Sequence, residues 1–369
     1  MPCHVQQPVC MGGLSMRKYF IDNLRWLCVL LLFPYHAFMV YNTFGESFYV
    51  KGADIPATTY FIMAAWPWFM PLLFLLAGVS SAYALQKRSA KEYIKERIFK
   101  LLIPLISGVL LLTPAQTYFA ERFHNGYTGT YFEQYILFFT KPTDLSGYHG
   151  GFAVAHLWFI LYLFVISIAS LPLMYFYQKS NKKPPVDKLP LPVLLMLFII
   201  PGVCQVILDI SGKSIGEYMA WFLLGYFFMS DGAVQEKLQK YRFLLLGISV
   251  PFMILSPFSG ETIENHNLIL YEFVYFIYAW VVILTIFGFG KQYLDFTNQT
   301  TAYLSNASFG IYILHQQWTV ITAYFALMWI GSIPLQIVSI VLASAVFTFL
   351  TYELFRRFSV TRTLFGLKK

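Results

Sequence analysis

Ten long apolar runs constrain the fold of this chain more than any other feature of its sequence. A helix needs about 20 apolar residues to cross a bilayer, and most of the runs approach or exceed that length. Charged residues make up only 12% of the chain, about half the share that soluble globular proteins carry. We therefore predict an all-α, polytopic membrane helix bundle. The runs cover roughly residues 19–41, 58–85, 98–119, 156–177, 191–208, 215–230, 243–258, 268–290, 302–329 and 334–355.

The lysines and arginines are distributed unevenly between alternate loops. With the N-terminus in the cytoplasm, 21 of the 26 fall on the cytoplasmic side, 4 fall outside, and Arg25 lies in the first run. Cytoplasmic loops of membrane proteins are enriched in these residues, so we predict ten spans with both termini cytoplasmic. The formal net charge of +8 then reflects topology and does not indicate a nucleic-acid partner.

The spans form one unit, so we predict a single transmembrane domain over residues 17–358 and a cytoplasmic tail over 359–369. Residues 1–16 lack the features of a secretory signal and are interpreted as a disordered tail or as residues upstream of a true start at Met16. The four cysteines show neither metal-ligand spacing nor a disulfide framework. In the long outer loop, residues 120–155, the sequence TYFEQYILFF indicates an interfacial amphipathic helix.

The first run, DNLRWLCVLLLFPYH, carries an arginine and a histidine. Arg25 and His36 are eleven residues apart, which puts them on one face of a helix and about 16 Å apart along its axis. Both are costly in lipid and should face the protein interior or a water-filled cavity. The alternatives are that Arg25 extends to the lipid headgroups and that His36 is a hydrogen-bonded core residue. Asp22 is expected to pair with Arg25 at i,i+3, as a structural or a functional ion pair.

Further candidates lie in later runs. Arg97 and Lys100 end a basic cluster at the membrane edge and, on an α-helix, would share a face suited to a nucleotide phosphate. His156 and His315 are functional candidates because intramembrane histidines often are, although either is also compatible with a hydrogen-bonded core position. Glu272, in the eighth run, is the acid placed to orient a histidine.

Five short motifs together resemble those of the acyltransferase-3 family of integral membrane acyltransferases. The resemblance spans about residues 17–356 and implies acylation of a hydroxyl on a carbohydrate or another acceptor by a cytosolic acyl-CoA. By the same resemblance, His36 is the catalytic histidine, Arg25 belongs to its motif, and Arg97 and Lys100 handle the acyl donor. IDNLR and MPLLFLLAG are most similar to the branch that succinylates periplasmic glucans. The motifs are Arg25 with His36, FLLAG at 74–78, RIFKLLIP at 97–104, HLWF at 156–159 and SFGIYILH at 308–315.

The sequence departs from the family pattern at several places. Lys100 stands where arginine is common, Ala77 replaces a serine, and Gln316 follows His315 where proline is common. Many members carry a C-terminal extracytoplasmic hydrolase-like domain, and this sequence ends without one. We therefore expect direct transfer to the acceptor, or transfer through a separate acyl-accepting extracytoplasmic protein.

Residues and resemblance together predict an O-acyltransferase of the bacterial cytoplasmic membrane, surrounded by lipid. Its co-substrate is expected to be acetyl-CoA or succinyl-CoA, its acceptor a glycan hydroxyl, and it needs no permanently bound cofactor or metal. His36 is expected to act as general base, and His315 or a tyrosine to stabilise charge on the thioester oxygen.

Two other classes of protein compete with this prediction. A transporter or flippase of an anionic or glycan substrate also suits a buried Arg–His pair, but the sequence shows neither repeat symmetry nor paired broken helices. A sensor or scaffold would not need Arg25 and His36 on one face.

Overall fold

The computed structural model describes residues 18–43, 48–143, 145–180, 185–210 and 212–368, with the backbone alone for 256–266. The region predicted as an N-terminal tail lies outside these residues. The described chain is almost entirely helical. Its α-helices are α1 (Tyr19–Met39), α2 (Pro56–Leu85), α3 (Ala90–Arg97), α4 (Ile103–Leu111), α5 (Thr113–His124), α6 (Tyr131–Thr140), α7 (Trp158–Ala169), α8 (Leu171–Lys179), α9 (Leu191–Met196), α10 (Ile199–Cys204), α11 (Ile215–Leu224), α12 (Gly232–Lys240), α13 (Arg242–His266), α14 (Leu268–Tyr293), α15 (Gln299–Trp329), α16 (Ile333–Phe355) and α17 (Ser359–Leu364).

Shorter elements join some of these helices. π-Helical turns occupy Ile98–Leu102 and Gly225–Met229, and 3₁₀ turns occupy Ala155–Leu157 and Val186–Lys188. Two-residue strands, β1 (Asp209–Ile210) and β2 (Lys213–Ser214), pair antiparallel. They form a hairpin beside α11 and leave the fold class all-α, as predicted.

Four helical segments of the described chain are long and apolar enough to cross a membrane. The number rises to six if each of two bent pairs is one span, with bends of 44° and 71°. The protein is therefore an integral membrane helix bundle, and the ten-span count with cytoplasmic termini remains a prediction. The four segments are Pro56–Leu85, Ala90–His124, Leu268–Tyr293 and Ile333–Phe355, and the bent pairs are Ala155–Ala169 with Leu171–Lys179 and Gly232–Lys240 with Arg242–Leu255.

Two long helices, α1 and α15, fall outside that apolar set. They carry the polar residues of the first and ninth predicted spans, including Arg25, His36 and His315. α1 packs against α2, α14, α15 and α16. Neighbouring helices therefore shield much of its surface from lipid, which is where costly intramembrane polar side chains are tolerated.

Two glycines bring the backbones of α2 and the α11 region into direct contact. A Cβ on Gly78 would lie 1.9 Å from the carbonyl oxygen of Phe222, and a Cβ on Gly225 would lie 2.1 Å from that of Leu75. Small residues at such crossings are typical of membrane helix packing. Gly78 ends the FLLAG motif, so this motif fixes α2 against its neighbour just before the polar end of the helix.

The amphipathic helix predicted in the outer loop is confirmed as α6. It begins with a capping box in which Thr130 and Glu133 each bind the other's backbone N–H. Gln134 is buried and donates to Thr117 over 3.0 Å, whereas Phe132 is 82% exposed. Phe138 is buried beside Gln134, while Phe132, Ile136 and Phe139 form an exposed apolar face, which suits a helix that lies in the membrane interface.

The C-terminal residues, predicted as a tail, pack against the bundle. α17 contacts α4, and a Cβ on Gly366 would lie 3.0 Å from Pro104. Lys368 donates to the side chain of Asn306 over 2.9 Å. The end of the described chain is thus part of the same folded unit.

Candidate active site

Three histidines from three separate elements meet inside the bundle. His36 comes from α1, His156 from the 3₁₀ turn before α7, and His315 from the middle of α15. The ring centroids of His36 and His315 are 5.2 Å apart, and those of His156 and His315 are 5.0 Å apart. The sequence identified each as a separate candidate, and the structure joins them into one group, called here the histidine cluster.

Backbone carbonyls hold two of these rings in place. His156 Nε2 lies 2.9 Å from the carbonyl oxygen of Ile313, and His315 Nδ1 lies 2.6 Å from that of Tyr312. The hydroxyl of Tyr312 donates in turn to the carbonyl of His156. α15 and the turn before α7 are therefore linked by bonds in both directions.

Each ring of the cluster has one enclosed nitrogen that lacks a hydrogen-bond partner among the described residues: His36 Nδ1, His156 Nδ1 and His315 Nε2. Buried polar atoms of this kind are uncommon in native proteins. Three of them lie on neighbouring rings, which makes the histidine cluster the candidate site of chemistry.

The backbone before His156 adopts an unusual conformation. Ala155 has a φ of +53°, a region that residues other than glycine rarely occupy. Such strain persists where the surrounding structure requires it, and it is frequent at active sites. Here it accompanies the turn that presents His156 to α15.

His36 is half-buried, and its Nε2 is not among the enclosed atoms. One side of the ring stacks on Phe48, with centroids 6.0 Å apart, and Tyr35 meets it edge-on at 5.4 Å. The carbonyl of Phe48 accepts from His124 Nε2 over 2.8 Å. An aromatic wall anchored in the outer loop therefore borders the open nitrogen of His36.

The N-terminal end of α1 carries the predicted ion pair. Arg25 donates to Asp22 over 3.0 Å, which confirms the i,i+3 pairing, and to Ser80 Oγ at the end of α2 over 2.6 Å. α1 is continuous between Arg25 and His36, so the two lie about 16 Å apart along the axis.

Arg97 reaches the same end of α2 from the other side. It donates to Ser81 Oγ over 3.1 Å and lies 4.4 Å from the centre of the Tyr93 ring, whose hydroxyl also donates to Ser81. Because Ser80 and Ser81 are consecutive, Arg25 and Arg97 bracket one helix end, and they are called here the arginine pair. The sequence interpretation missed the serines, although two adjacent hydroxyls at the end of an apolar run are a recognisable signal.

Lys100 does not join the arginine pair. It forms an ion pair with Glu96, which also binds Arg88 at 2.7 Å. The expectation that Arg97 and Lys100 share a face assumed α-helical spacing, whereas a π-helical turn, Ile98–Leu102, follows Arg97; donor binding by Lys100 stays a prediction. The wider turn changes the angle between positions three apart.

Glu272 lies on α14, where it interacts electrostatically with Glu217 of α11. The role predicted for it in orienting a histidine stays a prediction. Among the described residues, no group of three or more His, Cys, Asp or Glu side chains is arranged to hold a metal ion.

A cavity of about 480 Å³ opens beside the end of α2 that the arginine pair brackets. Its walls include Ala82 and Gln86 of α2, Tyr177 of α8, and Tyr226 with Phe227 of the second π-helical turn. Asp187 and Asp231 also line the cavity, so its walls are acidic as well as aromatic.

α1 carries a guanidinium group near one end and an imidazole group near the other, inside a membrane bundle. Such groups can bind an anionic substrate and transfer a proton. The chain belongs to the acyltransferase-3 family, because the family model described as an acyltransferase domain matches residues 18–353. The protein is therefore a membrane acyltransferase, and the resemblance drawn from the five motifs is confirmed.

Individual relatives share only a low sequence identity with the chain. The chain is similar to the glucans biosynthesis protein C of Salmonella heidelberg strain SL476, of Salmonella typhi and of Salmonella typhimurium strain LT2. Each is 24% identical over 332 residues, an alignment that covers 82% of this chain and 82% of the relative. These relatives weakly suggest the glucan branch of the family. No solved structure matches the chain.

Proposed function

We propose that this protein is an O-acyltransferase of the bacterial cytoplasmic membrane. It transfers an acyl group from cytosolic acyl-CoA to a hydroxyl of an extracytoplasmic glycan. The names of its relatives support a glucan as the acceptor, and the similarity to that branch favours succinyl-CoA over acetyl-CoA. Ten spans with both termini in the cytoplasm give the sidedness that this reaction needs.

The observation that carries the proposal is that guanidinium groups lie near one end of α1 and imidazole groups lie near the other. One end holds the arginine pair, whose Arg97 Nε is enclosed without a partner among the described residues. The other end holds the histidine cluster, with three unpartnered nitrogens. Guanidinium groups suit phosphates, and imidazole is the side chain whose ordinary pKa lies nearest neutral pH.

In the proposed reaction the phosphates of acyl-CoA bind the arginine pair and the adenine occupies the adjacent cavity. The pantetheine arm follows α1 to the histidine cluster. His36 Nε2 takes the proton of the acceptor hydroxyl while its oxygen attacks the thioester carbonyl carbon. The C–S bond breaks, and the departing sulfur of CoA takes the proton from His36. The products are the acyl ester and free CoA, with His36 neutral again.

The decisive experiment measures free CoA released by the purified protein in lipid nanodiscs, together with the mass of the glucan acceptor. We expect the wild type to consume acyl-CoA and add one acyl mass. His36→Ala should lower kcat by about 10²- to 10⁴-fold, the usual contribution of a positioned general base, while eluting as a folded monodisperse protein.

His149→Ala is the matched control, because His149 lies in the outer loop beside His124 and outside the histidine cluster. Retained turnover in His36→Ala would overturn the mechanism. Movement of substrate by the wild type without release of CoA would favour the transporter alternative.

A further inference from the structure

Two members of the histidine cluster have a fixed pattern of ring protons. A backbone carbonyl oxygen only accepts hydrogen bonds. His315 Nδ1, 2.6 Å from the carbonyl of Tyr312, must therefore carry a proton, as must His156 Nε2, 2.9 Å from that of Ile313. In a neutral imidazole the second nitrogen is then a bare acceptor. His315 Nε2 and His156 Nδ1 are accordingly both acceptors.

This pattern of ring protons argues against the role in charge stabilisation that the sequence suggested for His315. A neutral His315 has no free N–H, so it does not stabilise negative charge on the thioester oxygen. Its available nitrogen is enclosed and lacks a partner among the described residues, which is costly unless a donor reaches it. The same holds for His156 Nδ1.

The third ring, that of His36, can supply the hydrogen-bond donor. His36 Nδ1 is enclosed and unpartnered, and its ring centroid lies 5.2 Å from that of His315. Neither nitrogen has a direct hydrogen bond with any described residue, so at this ring separation we place one bridging water between His36 Nδ1 and His315 Nε2. His315 and His156 offer only lone pairs, so a proton on His36 Nδ1 satisfies an acceptor, whereas a lone pair there would leave three unprotonated nitrogens in one enclosed cluster.

We infer that His315 is a positioning residue that holds His36 in the tautomer protonated at Nδ1, while His156 packs against His315 as the second acceptor of the cluster. His36 Nε2, the nitrogen that is not enclosed, is then the lone pair directed at substrate. This resembles the general arrangement of a base oriented by a second group, with an imidazole in place of a carboxylate. The second acceptor of the cluster is left to receive a hydroxyl from the acceptor substrate or from water.

The inference rests on the proposed function only in calling His36 the base, so its test does not depend on turnover. The full chain, labelled with ¹⁵N-histidine, is reconstituted in lipid and its ring nitrogens are measured by NMR at neutral pH. The protein has seven histidines, and difference spectra against His36→Gln, His156→Gln and His315→Gln assign the cluster. We expect Nδ1–H for His36 and His315 and Nε2–H for His156; Nε2–H on His36 would overturn the inference.

Substitutions at His315 separate positioning from packing. His315→Leu should give a mixture of tautomers at His36 and lower kcat by about 10- to 100-fold, as loss of a histidine's orienting partner does in metal sites. His315→Gln keeps an acceptor oxygen and should restore most of the Nδ1–H signal and part of kcat. Equal behaviour of the Leu and Gln variants would contradict a positioning role.

Phe33→Leu is the packing control. Phe33 meets His315 edge-on from α1 at 6.1 Å and offers no conventional hydrogen-bonding group, so its loss should leave the tautomer of His36 unchanged. If instead His36→Ala retains turnover while the tautomers are as expected, the proposed function fails and the inference about proton positions stands.

Discussion

At the scale of single residues, the proposed donor-binding site depends on how Arg25 and Arg97 are held. Arg25 and Arg97 each donate to one of two consecutive serines, so the end of α2 sets the distance between them. Tyr93 supports Arg97 with its ring and Ser81 with its hydroxyl. The guanidinium groups are thus oriented before any ligand binds, which reduces the entropy lost on binding.

We predict that Arg97→Gln weakens donor binding and spares the chemical step. Loss of a charge-assisted contact of about 1.5–3 kcal/mol should raise KM for acyl-CoA by roughly 10- to 100-fold, with kcat nearly unchanged. Acyl-pantetheine lacks the nucleotide, so its kinetics should not change. Steady-state assays with both donors check this.

Arg88→Gln is the control for Arg97→Gln, because Arg88 belongs to the same basic cluster but pairs with Glu96. It should leave both donors unaffected. An equal rise in KM for acyl-CoA and acyl-pantetheine in Arg97→Gln would show that Arg97 does not contact the nucleotide.

Residues on one helix could be predicted from the sequence, and residues on different helices could not. The i,i+3 pairing of Asp22 with Arg25 follows from helical geometry alone, as does the common face of Arg25 and His36. The meeting of His156 with Ile313 joins positions 157 residues apart and depends on packing that no local pattern contains. Lys100 shows the limit within one segment, because a π-helical turn breaks the assumed spacing.

At the scale of elements, the contact of α2 with the π-helical turn after α11 depends on two glycines. The atoms that a Cβ on Gly78 or Gly225 would meet belong to the backbone of the facing helix. A flexible side chain can move aside, but a helical backbone moves only as a unit. The crossing fixes α2, which in turn carries Ser80 and Ser81.

We predict that Gly78→Ala destabilises the protein by at least the 1–3 kcal/mol or so typical of overpacked sites. Thermal unfolding in detergent, followed by fluorescence-detected gel filtration, should show a lower midpoint and a loss of monodisperse protein. Gly247→Ala, on α13, is the matched control because a Cβ there meets nothing within 4 Å. If the two variants unfold at the same temperature, the backbone contact at Gly78 does not limit stability.

Most helices could be predicted from the apolar runs, and so could the amphipathic α6. The interruptions of these helices do not follow from the apolar runs alone. The break between α7 and α8, with a bend of 44°, and that between α12 and α13, with a bend of 71°, lie in or next to continuous apolar sequence. Pro172, the second residue of α8, removes a backbone donor and explains the first. The second depends on how α12 packs against α14.

At the scale of the whole molecule, the orientation of the helices in the membrane decides whether the two ends of α1 face different compartments. Four to six segments of the described chain satisfy length and hydropathy, while α1 and α15 are too polar to do so. The helices that carry Arg25, His36 and His315 are thus missed by a purely hydrophobic criterion, whereas Arg97 and His156 lie in segments that satisfy it. The predicted orientation of the helices in the membrane therefore depends on the distribution of lysine and arginine between the loops.

We predict that single cysteines in four predicted loops report the orientation that ten spans with the N-terminus inside require. A membrane-impermeant thiol reagent should label Thr128→Cys and Gly331→Cys in intact cells, and Lys91→Cys and Gln299→Cys only after permeabilisation. The unsubstituted chain gives the background from its own cysteines. Labelling of all four positions from one side would contradict the topology, and with it a reaction that crosses the membrane.

The uninterrupted course of α1 has a further consequence for the choice of donor. The helix keeps Arg25 and His36 about 16 Å apart along its axis whatever acyl group is being carried, although Pro34 removes one backbone hydrogen bond of the helix close to His36. Under the proposed function, a thioester is selected by the reach of its carrier and not by the size of its acyl chain. A thioester on a truncated carrier such as cysteamine would be too short to span from the guanidinium groups to the imidazole, even with the same acyl group attached.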